Sequence, residues 1–180
     1  AMEESLDDAR VEGLLLKYRH FWGSYDYVGT KWNWYRREIR IVRNRKDIFS
    51  YRDAQGFRRR PNHKLRVRLV DAHVHHYGWV RDPRALQSKE RAKSRYYRDD
   101  RWIEEHLASD RWEYESGRQP VTRFEGTHPR VMQERIRRKN WAYQPDPSLK
   151  YHSAKDRVKR FIGDLTGWYP GEYRNYRLVR

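Results

Sequence analysis

From Leu65 apolar and polar residues alternate, with a shift of phase at Leu69-Val70, into a histidine-rich stretch that ends near Val80, and that run limits what the chain can fold into. Successive side chains of a strand point to opposite faces. Leu65, Val67 and Leu69 therefore share one face and Arg66 and Arg68 the other, the pattern of a half-exposed strand. The run continues through Asp71 into AHVHHYGWVRDP (Ala72 to Pro83), where three histidines fall within four positions. By strict alternation His73, His75, Tyr77 and Trp79 share one face, and Val74, His76 and Val80 the other. A strand with imidazoles on both faces reads as the floor of a site rather than as ordinary core.

The material available to cover such a strand is unusual. Leu, Ile, Val and Phe together supply only 33 of 180 residues, and the net charge is +16, a composition that borders on that of disordered chains. Against this stand 8 Trp and 14 Tyr spread along the whole sequence, which bring large apolar areas with polar tips. The chain is long enough for one domain with a real core, and that core is expected to be aromatic.

The positive charge is present in both halves and densest from Lys31 to Val70, with 14 basic and 3 acidic residues. Such an excess favours an anionic partner: a nucleic acid, a nucleoside diphosphate or an acidic membrane surface. The absence of cysteine excludes a disulfide scaffold, thiolate metal ligation and thiol catalysis. No stretch approaches the ~20 apolar residues of a spanning helix, and no secretory apolar segment is present. The expected location is cytoplasmic, with peripheral contact to an anionic membrane as a further option.

Along the chain, Ala1 to Arg10 reads as the acidic end of a helix and Val11 to Tyr18 as a buried strand. Gly23 to Gly29 is a loop rich in Gly and Tyr, and REIRIVRN, with Ile39 and Ile41, is a second strand. Four helices are predicted, over Pro83 to Tyr97, Asp100 to Ala108, Pro129 to Asn140 and Ser153 to Leu165. The last opens on a serine cap and closes near Gly167. Strands first and helices after predict a mixed sheet followed by C-terminal helices, an α+β layout or the back half of an α/β domain, with residues 1–82 strand-rich and 83–180 helical.

Several side chains are candidates for chemistry, each with a plainer alternative. His73 and His75, two apart on one face, have spacing suited to a shared metal, or are half-buried polar plugs. Taken alone, His76 reads as a core histidine bonded to a backbone carbonyl. Asp53, beside Arg52 and ahead of Arg58 to Arg60, suits a general base or metal ligand, or a turn aspartate. Asp26, between Tyr25 and Tyr27, poses the same choice. Arg36, Arg37, Arg40, Arg43 and Arg45 can grip phosphate oxygens, or form a solvated face. There is no phosphate-cradling glycine loop, nucleophile elbow or zinc-finger spacing. Basic and aromatic interleaving also fits a noncatalytic RNA-binding module, the alternative reading.

Six strings in order, HFWGSYDYVG, WYRREIRIVRN, SYRDAQGFR, HHYGWVRDP, GTHPRVM and GEYRNYRLV, resemble bacterial family-2-type glycosyltransferases. The resemblance spans nearly all of this chain and corresponds to the C-terminal part of such a protein. It implies a GT-A fold, a Rossmann-like α/β sheet binding a nucleotide diphosphate sugar with a divalent metal, Mn or Mg. The implied reaction is transfer of a hexose to a glycan or lipid-linked acceptor of the cell envelope. In this reading residues 1–82 form the acceptor-side half and 83–180 a helical extension. Asp53 resembles the base that deprotonates the acceptor, although relatives carry a His-Glu pair where this chain has Asp53-Ala54-Gln55. Asp26 is a second acceptor-side candidate. His76 matches a histidine that closes the site and reaches metal or diphosphate, and Arg36 and Arg37 would offset the charge of the leaving diphosphate. Trp22, Trp32 and Trp79 are candidate sugar platforms. Spacing thus favours His73 and His75, while the resemblance selects His76. The family's Asp-x-Asp metal motif has no counterpart here, nor have the strands before it, so the expectation is a fragment or degenerate member whose donor-binding half lies upstream.

Overall fold

The computed structural model describes residues 4–31, 34–52, 56–114, 119–146 and 154–179. Among these, eight strands and four α-helices form. The strands are β1 (Gly13–Trp22), β2 (Tyr27–Gly29), β3 (Arg37–Val42), β4 (Ile48–Ser50), β5 (Phe57–Arg59), β6 (His63–Trp79), β7 (Val121–Arg123) and β8 (Tyr176–Leu178). The helices are α1 (Pro83–Ser94), α2 (Asp100–His106), α3 (Gln133–Arg137) and α4 (Ala154–Thr166). The coarse expectation, a mixed sheet with four helices, is what forms. No helix among the described residues is long and apolar enough to cross a membrane.

The chain divides into two compact units. The first comprises Ala1–Arg19, Tyr35–Val74 and Ser153–Arg180, the second His20–Trp34 and His75–His152.

In the first unit β1 pairs antiparallel with β3, Leu14 opposite Ile41 and Leu15 opposite Ile39, with a register irregularity between the two leucines. β4 and β5 form a hairpin, β5 continues antiparallel into β6, and β8 joins β6 in parallel, Leu65 opposite Tyr176 and Val67 opposite Leu178. The consecutive leucines of β1 explain its burial on both faces. Leu15 packs with Ile39, Leu65, Val67 and Tyr176, while Leu14 and Leu16 pack with Val11 and Val70. β6 obeys the same period of two, with Leu65 and Val67 in one cluster and Val70 and Val74 in the other. Between the clusters Glu12 is only 1% exposed, and its carboxylate accepts from Arg59 Nη1 at 2.6 Å and from the Arg66 backbone N–H at 2.8 Å.

In the second unit β2 pairs with the end of β1 and with β7, both antiparallel. One cluster holds Trp22, Leu86, Tyr114 and Val121, flanked by Trp34, Trp79, Trp112 and Trp141. Another holds Phe21, Tyr25 and Val80, flanked by Tyr77 and Phe124. α1 starts where the sequence signals it: the Asp82 carboxylate accepts from Arg84 N at 2.9 Å, and Pro83 occupies the first turn.

Three local expectations change. The helix predicted over Pro129 to Asn140 contracts to a 3₁₀ turn at Arg130–Met132 followed by α3. No side chain caps its start, and Arg135 and Lys139 place like charges one turn apart. Alternation along β6 ends at Tyr77: the Val80 N–H donates to Tyr77 O at 3.0 Å, closing a turn that carries Val80 into the cluster of Tyr77 and Trp79 into that of Trp22. The N-terminal segment forms only a 3₁₀ turn at Glu4–Leu6. Ser153, expected as the cap of α4, lies outside the described residues.

Candidate functional site

Within the second unit β1 and β6 bring His20 and His76 together. Their Nδ1 atoms are 3.1 Å apart, and the His20 ring, 3% exposed, stacks on Trp34 at 4.6 Å between centroids. One Nδ1 must carry a proton and the other a lone pair for this contact to be a hydrogen bond. Gly78 makes room for it, since a Cβ there would lie 2.7 Å from the His76 ring. No spacing or motif in the sequence singles out His20. Its signal was a polar residue at an apolar-facing position of RHFW, whose partner lies 56 residues away.

A second group surrounds the loop after β1. The Ser24 hydroxyl, 1% exposed, donates to Asp26 Oδ2 at 2.5 Å and accepts from the Asp26 N–H at 3.3 Å, so the exposed carboxylate is oriented by a buried donor. Close enough to feel that charge is His128. Burial holds its pKa below the ordinary 6.5 although Asp26 pulls the other way. Its Nδ1 lies 2.8 Å from the Tyr77 hydroxyl, whose pKa burial pushes up to about 12. Phe21, Tyr77 and Phe124 pack around His75 and His128.

A groove of about 390 Å³ adjoins this loop, its walls including Tyr25, Arg81, Asp82, Arg135, Arg138 and Trp141. The Tyr25 hydroxyl is buried and finds no hydrogen-bond partner among the described residues. Trp141 is fixed in the wall by its indole N–H, which donates to Gly23 O at 2.7 Å. The Trp141 ring and the Arg81 and Arg135 guanidinium groups suit a polar, anionic or sugar-like ligand, while Arg138 is paired with Glu134 of the same wall.

Each predicted site residue has a definite place or none. Asp26 and His76 both belong to the second unit but to different groups, the one with Ser24 and His128, the other with His20. Arg36 and Arg37 belong to the first unit at the start of β3. The Arg36 guanidinium lies 4.3 Å over the Tyr169 ring and has its pKa lowered by burial, while Arg37 Nη2 donates to Gly167 O at 3.4 Å. Asp53 lies outside the described residues, as does Trp32. Trp22 and Trp79 pack against one another at 4.9 Å, Trp22 being 5% exposed, so these two act as core. His73 is exposed beside Lys17 and Arg19. Burial of its ring and then those two cations lower its pKa.

For a metal, the described residues offer the two imidazole nitrogens of His20 and His76, and no group of three or more His, Cys, Asp or Glu among them could hold an ion. Two nitrogens are an incomplete set for Mn or Mg, which prefer oxygen ligands. The described residues do not by themselves fit a metal, and no step is derived through one. No protein-family model, curated protein or solved structure matches the chain.

Proposed function

We propose that this chain serves the acceptor side of glycosyl transfer, from a nucleotide diphosphate hexose to a glycan or lipid-linked acceptor. The observation that carries the reading is the Asp26 carboxylate, exposed yet oriented by buried Ser24, with its neighbour Tyr25 in the wall of the arginine- and tryptophan-bearing groove. In the step proposed, an acceptor hydroxyl oxygen bonds to the sugar's anomeric carbon as the bond to the diphosphate breaks. Asp26 takes the hydroxyl proton and the nucleoside diphosphate leaves with the bonding pair. Arginine side chains offset its charge. The ordered resemblance of six sequence segments supports the same reading and sets His76 toward the diphosphate, while Asp53, the base that the resemblance implies, lies outside the described residues and leaves that role to Asp26 here. The RNA-binding alternative draws on the net charge of +16, but Trp22 is buried and Trp34, Trp79 and Trp112 are half-buried against it, which limits them as stacking platforms.

Calorimetric titration of a uridine diphosphate hexose into the 180-residue chain, with and without Mn, tests the reading. Binding is expected, weakened roughly tenfold by His76→Ala, a loss of about 1.4 kcal/mol, and unchanged by His73→Ala. Equal losses in both variants defeat the assignment. Metal-independent binding of single-stranded RNA that collapses with salt replaces it with the alternative.

A further inference from the structure

The amphipathic sense of α4 is reversed. Its buried position is Gly163, and a Cβ there would lie 2.1 Å from the Tyr169 ring that covers it. Tyr169 donates its hydroxyl to Asp164 Oδ1 at 2.9 Å and carries the Arg36 guanidinium on its face. Half-buried Asp156, Lys159, Arg160 and Ile162 flank the glycine, so the side packed on its own unit is mostly small and charged. Three of the larger apolar side chains point away. Val158, Phe161 and Leu165, spaced three and four apart, are 59%, 69% and 75% exposed. Trp168, just past the left-handed turn at Gly167, is 53% exposed and extends the same end of the stripe. Lys155 and Arg157 stand exposed within the helix.

We propose that this stripe docks on the surface of an anionic membrane, with α4 lying in the plane of the interface. Val158, Phe161 and Leu165 enter the acyl boundary, Trp168 sits at headgroup depth, and Lys155 and Arg157 meet lipid phosphates. Charge complementarity selects this occupant: the first unit holds 23 Lys and Arg against 12 Asp and Glu, most of the molecule's net +16. A second copy fits less well. A 13-residue helix falls short of the roughly 20–30 residues a side of a stable interface, and two chains of this charge repel. RNA would use the cations but gain nothing from valine and leucine. The inference stands apart from the glycosyl-transfer reading, since neither the stripe nor Lys155 and Arg157 belongs to that site.

Flotation of the 180-residue chain with vesicles tests it. Binding is expected to vesicles holding about one third phosphatidylglycerol, and to be at least roughly tenfold weaker on pure phosphatidylcholine. Phe161→Glu with Leu165→Glu should lower affinity roughly tenfold, and Lys155→Glu with Arg157→Glu by a similar factor. Both pairs are exposed, and circular dichroism checks that the fold survives. Independently, brominated lipid should quench a fluorescence component that Trp168→Phe removes. Anionic-vesicle binding untouched by the Phe161/Leu165 pair overturns the proposal, as does a dimer that the same pair abolishes. So does the absence of Trp168 quenching in vesicle-bound protein.

Discussion

The two units solve the same problem with different materials. The first packs Val11, Leu14, Leu15, Leu16, Ile39, Leu65, Val67 and Val70 around a sheet and carries most of the positive charge. The second has few aliphatics and fills its interior with rings: Phe21, Trp22, Tyr25 and Tyr114, backed by Trp34, Trp79, Trp112 and Trp141. Seven of the eight tryptophans belong to it. A composition that averages to borderline disorder is thus a mixture of an ordinary aliphatic core and an aromatic one. Rings bring polar tips that need partners, and the second unit turns them inward. The Tyr114 hydroxyl donates to Arg81 O at 2.8 Å and lies 3.1 Å from Trp79 O, its pKa pushed up to about 12 by burial. The candidate site lies in the unit where such polar tips crowd.

The contrast can be attacked directly. Phe21→Ala removes a fully buried ring that touches His75, Tyr77, Phe124 and His128, and should cost about 4 kcal/mol. Tryptophan fluorescence should report the loss first, because it reads the second unit almost alone. If amide exchange of the β1–β3 pairs accelerates equally, the units unfold as one and the contrast is only compositional. Next in size, Glu12→Ala strips two buried hydrogen bonds from the first unit, an expected loss of about 3 kcal/mol in urea unfolding. Glu12→Gln should recover part of it, and equal losses would mean the charge itself is what matters.

A smaller effect depends on pH. The His128 pKa is lower folded than unfolded, so the folded state binds fewer protons there as pH falls toward and below the ordinary 6.5. Stability is then full above that value and declines below it. His128→Asn should flatten the acid limb of a stability–pH curve read by tryptophan fluorescence, and an unchanged limb would place the titration elsewhere. The smallest concerns Lys17 and Asp71, an ion pair at 2.7 Å whose aspartate side chain is 88% exposed. Asp71→Asn should leave the melting temperature of the first unit unchanged.

Much of this was readable from local pattern. The alternation from Leu65 to Tyr77, the β1 leucines, REIRIV and the Asp82-Pro83 start of α1 are signals that neighbouring residues carry by themselves. What stayed hidden depends on partners far away in sequence. His20 shows no repeat or spacing, and only the pairing of β1 with β6 gives it His76. The parallel pairing of Leu65 with Tyr176 spans more than a hundred residues and draws the C-terminal aromatic tail into the first unit. α4 is expected from a serine cap and a closing glycine, and such end signals bound a helix without saying which side is covered. Asp26 was legible as a carboxylate, while the buried serine that aims it emerged only with the loop's geometry.

The Nδ1–Nδ1 contact between His20 and His76 has a consequence for the other two ring nitrogens. While both rings are neutral, the ring that gives its Nδ1 proton to the contact has a bare Nε2, and the ring that accepts has a protonated one. The pair therefore always holds one donor and one acceptor at the far edges. Moving a single proton across 3.1 Å, with compensating exchange at the edges, swaps which is which. Two identical side chains thereby become chemically unlike, and their asymmetry is a stored choice that a neighbouring group can set.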